Sequence, residues 1–201
     1  VHQFGGWHGY AKPERPFMDF IESLIAADQS LFLSLTSQGN PSLDALFQTV
    51  TQPWISYLIL LALLVHAFLR MSFQQAIRFA VILIAAIALA DLASVHLLKN
   101  LVMRLRPCHG MADQFVLAAT SCGGQYGFVS SHAATLFAAW GVMQASKASK
   151  NWLLALGLWA LVVSYSRIYL GLHYPADILG GMLLGLFIAK GLHRWRGVPT
   201  F

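Results

Sequence analysis

From Pro53 onward the chain alternates long apolar runs with short polar breaks. Five runs read as membrane spans: about Pro53 to Leu69, Phe79 to Leu98, Ser131 to Ala145, Trp152 to Tyr169, and Pro175 to Leu192. Several are short against the ~20 residues needed to cross ~30 Å of hydrocarbon. Aromatic rings favour the headgroup level, and Trp54, Tyr57, Trp140, Trp152, Tyr169, Tyr174 and Trp195 stand mostly near run ends. Residues 17–36 follow a different rule. Asp19, Glu22 and Asp28 interrupt them, while Phe17, Phe20, Ile21, Leu24, Ile25, Leu31, Phe32 and Leu35 fall near one helical face. That pattern predicts an amphipathic helix at the membrane interface, with a shallow first span as the alternative. Residues 1–16 are polar, contain Gly and Pro, lack the apolar core of a signal peptide, and are expected to be loosely structured. The fold class expected is all-α: a polytopic helix bundle of five spans plus an amphipathic or sixth helix. It forms one membrane-embedded domain over residues 17–196, with an outward loop at 99–130 and a tail at 197–201.

Composition points the same way. Of the 201 residues, 57% are apolar and 10% charged, against about 25% charged in soluble domains. So few charges exclude a disordered chain, and two cysteines exclude a disulfide-dense scaffold. The net charge of +5 raises nucleic acid as a partner. The charges form short clusters with no basic stripe, however, so the partner expected is the bilayer and no nucleic acid. Arg70 and Arg78 flank the first turn between spans, Lys147 and Lys150 a later one, and Lys190, Arg194 and Arg196 the end. All seven fall on one side, which the positive-inside rule makes cytoplasmic. Lys99 to Ser130 and Arg167 to Tyr174 then lie on the opposite side. Cys108 and Cys122 both belong to that outward segment, where an oxidising compartment permits a disulfide; two free thiols are the alternative.

Ionisable and polar residues gather at span ends on the outward face, and charges near lipid are functional candidates by default. Lys99 and Arg106 are seven apart, so a helix continuing to Pro107 would put both on one stripe. Arg104 falls off that stripe and reads as a solvated or headgroup-facing charge. Lys99, Arg106 and Arg167 make three cations suited to a polyanion, since guanidinium forks match phosphate oxygens. Ser130 and Ser131 precede an apolar helix, where serine caps and free N–H groups bind anions. His132, in the first turn, can give or take a proton. His173 stands two residues before Pro175, with Asp177 in the helix's first turn, so the carboxylate can hold one imidazole nitrogen and leave the other basic. Such an imidazole is a nucleophile or base. Three cations disfavour a divalent ion, so no metal is expected. Asp91, with His96 between it and Lys99, is expected to face other helices and find a structural partner. Gly181 and Gly185 permit close helix approach, read as internal packing, with a dimer face as the alternative.

The segments Lys99 to Arg106-Pro107, Val129-Ser130-Ser131-His132, and Ser166-Arg167 to His173 to Asp177 resemble the signature of the type 2 phosphatidic acid phosphatase family: K-x6-RP, PSGH and SR-x5-H-x3-D. The first and third motifs match fully. In the second, Val129 stands for Pro and Ser131 for Gly. The resemblance covers roughly residues 50–193 and implies a six-helix core, with 17–36 as the sixth helix. It implies that His173 attacks phosphorus to form a phosphohistidine, that Asp177 orients it, and that His132 protonates the leaving oxygen and then assists water. Lys99, Arg106, Ser130 and Arg167 would hold the phosphoryl oxygens, with the backbone N–H of Ser131 in place of the glycine's. The Ser131 hydroxyl is expected to turn away or also meet phosphate. No cofactor and no obligate protein partner are implied. Candidate substrates are undecaprenyl diphosphate, phosphatidylglycerol phosphate, phosphatidic acid and lipid A phosphates, met at the outer face of a bacterial inner membrane. A phosphotransferase with the same intermediate and a non-enzymatic lipid or anion carrier are the alternatives.

Overall fold

The computed structural model describes residues 15–201, so most of the polar segment expected to be loose, 1–14, lies outside the described residues. Among the described residues the ordered structure is helical, apart from one antiparallel bridge between Leu105 and Tyr126. Helices α1 (Pro16–Leu35), α2 (Pro41–Val50) and α3 (Pro53–Arg70) each begin with proline at a first-turn position, where its missing N–H costs nothing. Asn40 caps α2 by accepting from the N–H groups of Ser42 and Leu43. Ser72 opens α4 (Phe73–Leu92) with a reciprocal pair to Gln75. A π-helical turn (Ala93–Leu98) joins α4 to α5 (Lys99–Val102), so one apolar rod runs from Phe73 to Val102. It is longer at both ends than the predicted Phe79–Leu98. After the short α6 (Pro107–Gly110) come α7 (Ser131–Ala145), α8 (Lys150–Tyr169) and α9 (Pro175–Arg196).

Four rods are long and apolar enough to cross a membrane: Pro53–Arg70, Phe73–Val102, Lys150–Tyr169 and Pro175–Arg196. The predicted span at 131–145 forms a helix of 15 residues, about 22 Å at 1.5 Å per residue, so it is shorter than the hydrocarbon layer. It tolerates this because it is the bundle's central post, packed against α9, α4 and α8. Its packing is close because the contacts are small. A β-carbon at Gly181 would meet the carbonyl oxygen of Ser130 at 2.5 Å, and one at Gly185 would strike the carbonyl of Ala134. This glycine face is therefore internal and joins α9 to α7.

Contacts sort the bundle into two ends. At one end Phe201 packs on His66 and Phe79, His66 packs on Trp152, and Arg78 donates to the carbonyl of Arg196 at 3.0 Å. At the other end lie the motif residues. Helix α1 reaches that second end: Asp28 accepts from Ala176 N–H (2.9 Å), and Ser37 N–H, just beyond the helix, donates to the carbonyl of Tyr169 (2.9 Å). Its middle and the residues just after its C-terminus both touch the site end.

Candidate active site

The loop from Met103 to Ser130 places Arg106, and it does so by a different route from the helical stripe expected. The helix stops at Val102, where Met103 takes a left-handed conformation (φ 49°). Residues 104–106 then run extended beside 125–127: Arg106 N–H donates to the carbonyl of Gln125 (3.1 Å), and Gly127 N–H to that of Arg104 (2.8 Å). Arg106 Nε also donates to the carbonyl of Tyr126 (3.3 Å). Cys108 and Cys122 form a disulfide, with Cα atoms 5.9 Å apart, that closes this frame. In the chain-entropy model a loop of this size contributes about 3 kcal/mol. Lys99 and Arg106 thus converge because the chain folds back.

His173 sits in the connection between α8 and α9 and is buried, 1% exposed, and Asp177 beside it is 0% exposed. Asp177 Oδ2 lies 3.3 Å from His173 Nδ1 and accepts from Tyr174 N–H at 3.0 Å. Its other oxygen accepts from Arg104 Nη1 at 3.0 Å. Three donors hold the carboxylate, which in turn favours the proton on Nδ1 and leaves the Nε2 lone pair free. Burial, reinforced by Arg106 and Arg167 and opposed by Asp177, pulls the His173 imidazole down to about 4, so it is neutral at ordinary pH. Burial likewise pulls Arg106 below its ordinary value, with Asp177 opposing.

His132 lies within electrostatic reach of Arg167, His173, Lys99 and Arg106, so the three motifs meet around one point. Ser130 is placed by its N–H, which donates to the main-chain carbonyl of Asp177 at 3.0 Å, and not by a side-chain cap, which it does not make. Its Oγ and the Nε of Arg167 are buried without a hydrogen-bond partner among the described residues. Unpaired buried donors are costly, and a phosphoryl oxygen would satisfy both. Arg167 is aimed from its other side by Thr51, whose Oγ1 accepts from Nη1 at 2.7 Å. The Ser131 hydroxyl turns to Lys99 Nζ (3.2 Å) and Ser94 Oγ (2.9 Å), so the residue that stands for glycine supports a cation.

Two residues escaped the sequence reading. Arg104, expected off the helical stripe as a solvated or headgroup-facing charge, is neither, because the helix ends at Val102. In the structure it bridges Asp177 and Asp28 (2.6 Å to the latter) and lies 3.9 Å above the Tyr174 ring. Its signal was available: a charge two residues from Arg106 in a charge-poor chain, with an unpaired Asp28 in the amphipathic helix. Gly127, in the outward loop, is not among the site residues expected from the sequence. A β-carbon there would lie 2.8 Å from Asp177 Oδ2, 3.3 Å from Arg106 Cγ and 3.6 Å from His173 Nδ1. Only glycine lets this loop lie against the buried pair. Asp91 makes no side-chain hydrogen bond or ion pair among the described residues; its carboxylate lies within electrostatic reach of Lys99, and its main-chain carbonyl accepts from Ser94 Oγ at 2.8 Å. The one group of potential metal-holding size among the described residues, Cys108, His109 and Cys122, has both sulfurs in the disulfide.

Comparison with known proteins bears on the whole arrangement. The family model of the PAP2 superfamily matches residues 79–200. The lipid A 4'-phosphatase of Bacteroides thetaiotaomicron is 33% identical over 174 residues, 83% of this chain and 76% of that protein. The lipid A 4'-phosphatase of Porphyromonas gingivalis is 26% identical over 178 residues, 87% of this chain and 75% of that one. Among solved structures, a transmembrane PAP2-type phosphatidylglycerolphosphate phosphatase from Bacillus subtilis superposes with a TM-score of 0.66 at 20% identity, covering 89% of this chain and 92% of that one.

Proposed function

The chain belongs to the PAP2 superfamily and is a membrane-embedded hydrolase of lipid phosphates, and from that premise we propose that it cleaves a phosphate monoester or diphosphate through a phosphohistidine on His173. The observation that carries the reading is the buried His173–Asp177 pair facing three cations and a second histidine. Lys99, Arg106 and Arg167, with the Ser130 hydroxyl and the Ser131 N–H, hold the phosphoryl oxygens and offset their developing charge. His173 Nε2 attacks phosphorus. The bond to the leaving oxygen breaks as His132, in its protonated form, gives that oxygen a proton. Water then attacks the phosphohistidine, His132 takes its proton, the P–N bond breaks, and inorganic phosphate leaves with His173 restored. Arg104 holds Asp177, and through it the ring of His173.

The site opens at the end of the bundle opposite Arg70, Arg78, Lys147, Lys150 and the basic tail of α9. By the positive-inside rule that end faces the periplasm or exterior of a bacterial inner membrane. There a lipid headgroup reaches the cations while its chains stay in the bilayer. Lipid A phosphates, undecaprenyl diphosphate, phosphatidylglycerol phosphate and phosphatidic acid are the candidates, and the relatives named for lipid A support the first. A panel of these lipids in detergent, scored by free phosphate, tests the reading. Hydrolysis of at least one, inhibited by vanadate and unaffected by chelator, is expected. Transfer of label to a lipid acceptor without free phosphate would replace hydrolase by phosphotransferase, and no phosphoryl chemistry on any lipid would leave only a carrier.

A further inference from the structure

Asp28 interrupts the apolar pattern of α1, and the phosphatase chemistry above gives it no role. Its side chain is 12% exposed, and both of its oxygens bind groups far along the chain. Oδ2 accepts from Arg104 Nη2 at 2.6 Å, and Oδ1 accepts from the N–H of Ala176, in the first turn of α9, at 2.9 Å. Ala176 is the neighbour of Asp177, and the other arm of Arg104, Nη1, donates to Asp177 Oδ1 at 3.0 Å. One carboxylate on α1 therefore grips both the arginine that holds Asp177 and the helical turn that carries it. A second contact from α1 supports the same arginine. The guanidinium lies 3.9 Å above the Tyr174 ring, and Phe32, the buried residue of α1, packs edge-on against that ring with centroids 5.4 Å apart. Phe17, Phe20 and Leu24 of the same helix are exposed, so its protein-facing side is the side turned to Arg104 and Tyr174.

Charge balance explains why two carboxylates share one guanidinium. Asp177 is buried, and it has two tasks: to keep the proton on His173 Nδ1, and to offset the positive charge that the ring gains when Nε2 bonds to phosphorus. An arginine bound to Asp177 alone would draw the carboxylate toward itself and oppose the charge on the ring. Asp28 supplies a second negative charge that neutralises Arg104. Arg104 can then fix the position of Asp177 without competing with the ring for it. We propose that Asp28 is a positioning residue for the nucleophile, acting through Arg104, and that α1 is thereby part of the apparatus that forms the phosphohistidine. This inference rests on the phosphohistidine reading and adds to it a residue that touches neither the substrate nor the reacting atoms.

The test measures kcat, KM and inhibition by inorganic phosphate, with the lipid of the panel above that wild type hydrolyses fastest. Asp28→Asn keeps an oxygen for one of the two contacts and removes the charge. It should lower kcat about tenfold or more, since a nucleophile held loosely is misplaced. KM and phosphate inhibition should stay within about twofold, because the cations that hold phosphate are untouched, and this also shows that the variant folds. Asp28→Glu, which keeps the charge, should lose less. In an Arg104→Gln background Asp28→Asn should cost less than about twofold, since the contact through which it acts is already gone. Should Arg104→Gln fail to fold, the split between kcat and KM and the comparison of Asn with Glu decide the matter. Glu22→Gln, exposed on the same helix, should leave kcat unchanged. No loss in Asp28→Asn, a loss confined to KM, the same loss in both backgrounds, or an equal loss in Glu22→Gln would overturn the proposal and leave the phosphatase reading standing. A wild type that releases no phosphate from any lipid of the panel would remove both.

Discussion

At the end of the bundle away from the site, Phe201, His66, Trp152 and Phe79 pack ring against ring, and charges such as Lys150 and Arg194 stand exposed. At the site end the charges are inside: Asp177, His173 and Arg106 are buried, and partners distant in sequence hold them. Both ends are built on apolar helices. The first is held by area removed from water and lipid, which tolerates small shifts. The second is held by directional contacts among groups that cannot be left unpaired, which does not. Substitutions of the same kind should therefore have opposite outcomes at the two ends.

Glycine to alanine is the sharpest such pair. Gly127→Ala inserts a methyl 2.8 Å from Asp177 Oδ2 and 3.3 Å from Arg106 Cγ, so the loop, the carboxylate or the arginine must move. Displacing one phosphate donor costs about 10²–10³ in rate, and a fall of that order in phosphate release is expected. Gly191→Ala, on α9 near the basic end, meets nothing within 4 Å. Alanine there should leave activity unchanged and stabilise by about 0.5–1 kcal/mol through helix propensity, read as a raised unfolding midpoint. Between these extremes lies the disulfide. Cys108→Ser with Cys122→Ser should lower stability by about 3 kcal/mol and weaken phosphate release, because the frame holding Arg106 loses its brace. Unchanged thermal unfolding in that double variant would place the brace elsewhere.

A smaller effect concerns pH. The His173 imidazole is lowered to about 4 by burial, from an ordinary value of about 6.5. Its neutral, nucleophilic form therefore persists well below neutral pH. The loss of kcat/KM due to this group should come as pH falls through about 4, not 6.5. The stability linked to it is complete above 6.5 and declines toward 4, since the unfolded chain binds that proton first. Asp177→Asn should displace this limb, whereas Lys150→Gln at the other end should not.

The contrast between the ends also explains what the sequence disclosed. Helices over 53–70, 150–169 and 175–196 were legible because apolar run length is a local property. So was the contact between His173 and Asp177, since fixed spacing beside a helix start determines what each can reach. Lys99 and Arg106 were paired correctly, but for a reason that fails: the helix ends at Val102, and a fold-back stabilised by 104–106 against 125–127 brings them together. Arg104 and Gly127 were misjudged or missed because their partners are distant in sequence. Asp28 is 76 residues from Arg104, and Asp177 is 73. No periodicity encodes such contacts; they appear only when loops close.

The central claim is that phosphorus passes through His173. Rapid acid-free quenching of the protein with a ³²P-labelled lipid phosphate tests it directly. Wild type should carry an acid-labile, base-stable phosphoryl group transiently. His132→Ala should accumulate that group because water attack is slowed, and His173→Ala should carry none and release no phosphate. Label retained on the His173→Ala protein, or full phosphate release by it, would contradict the account.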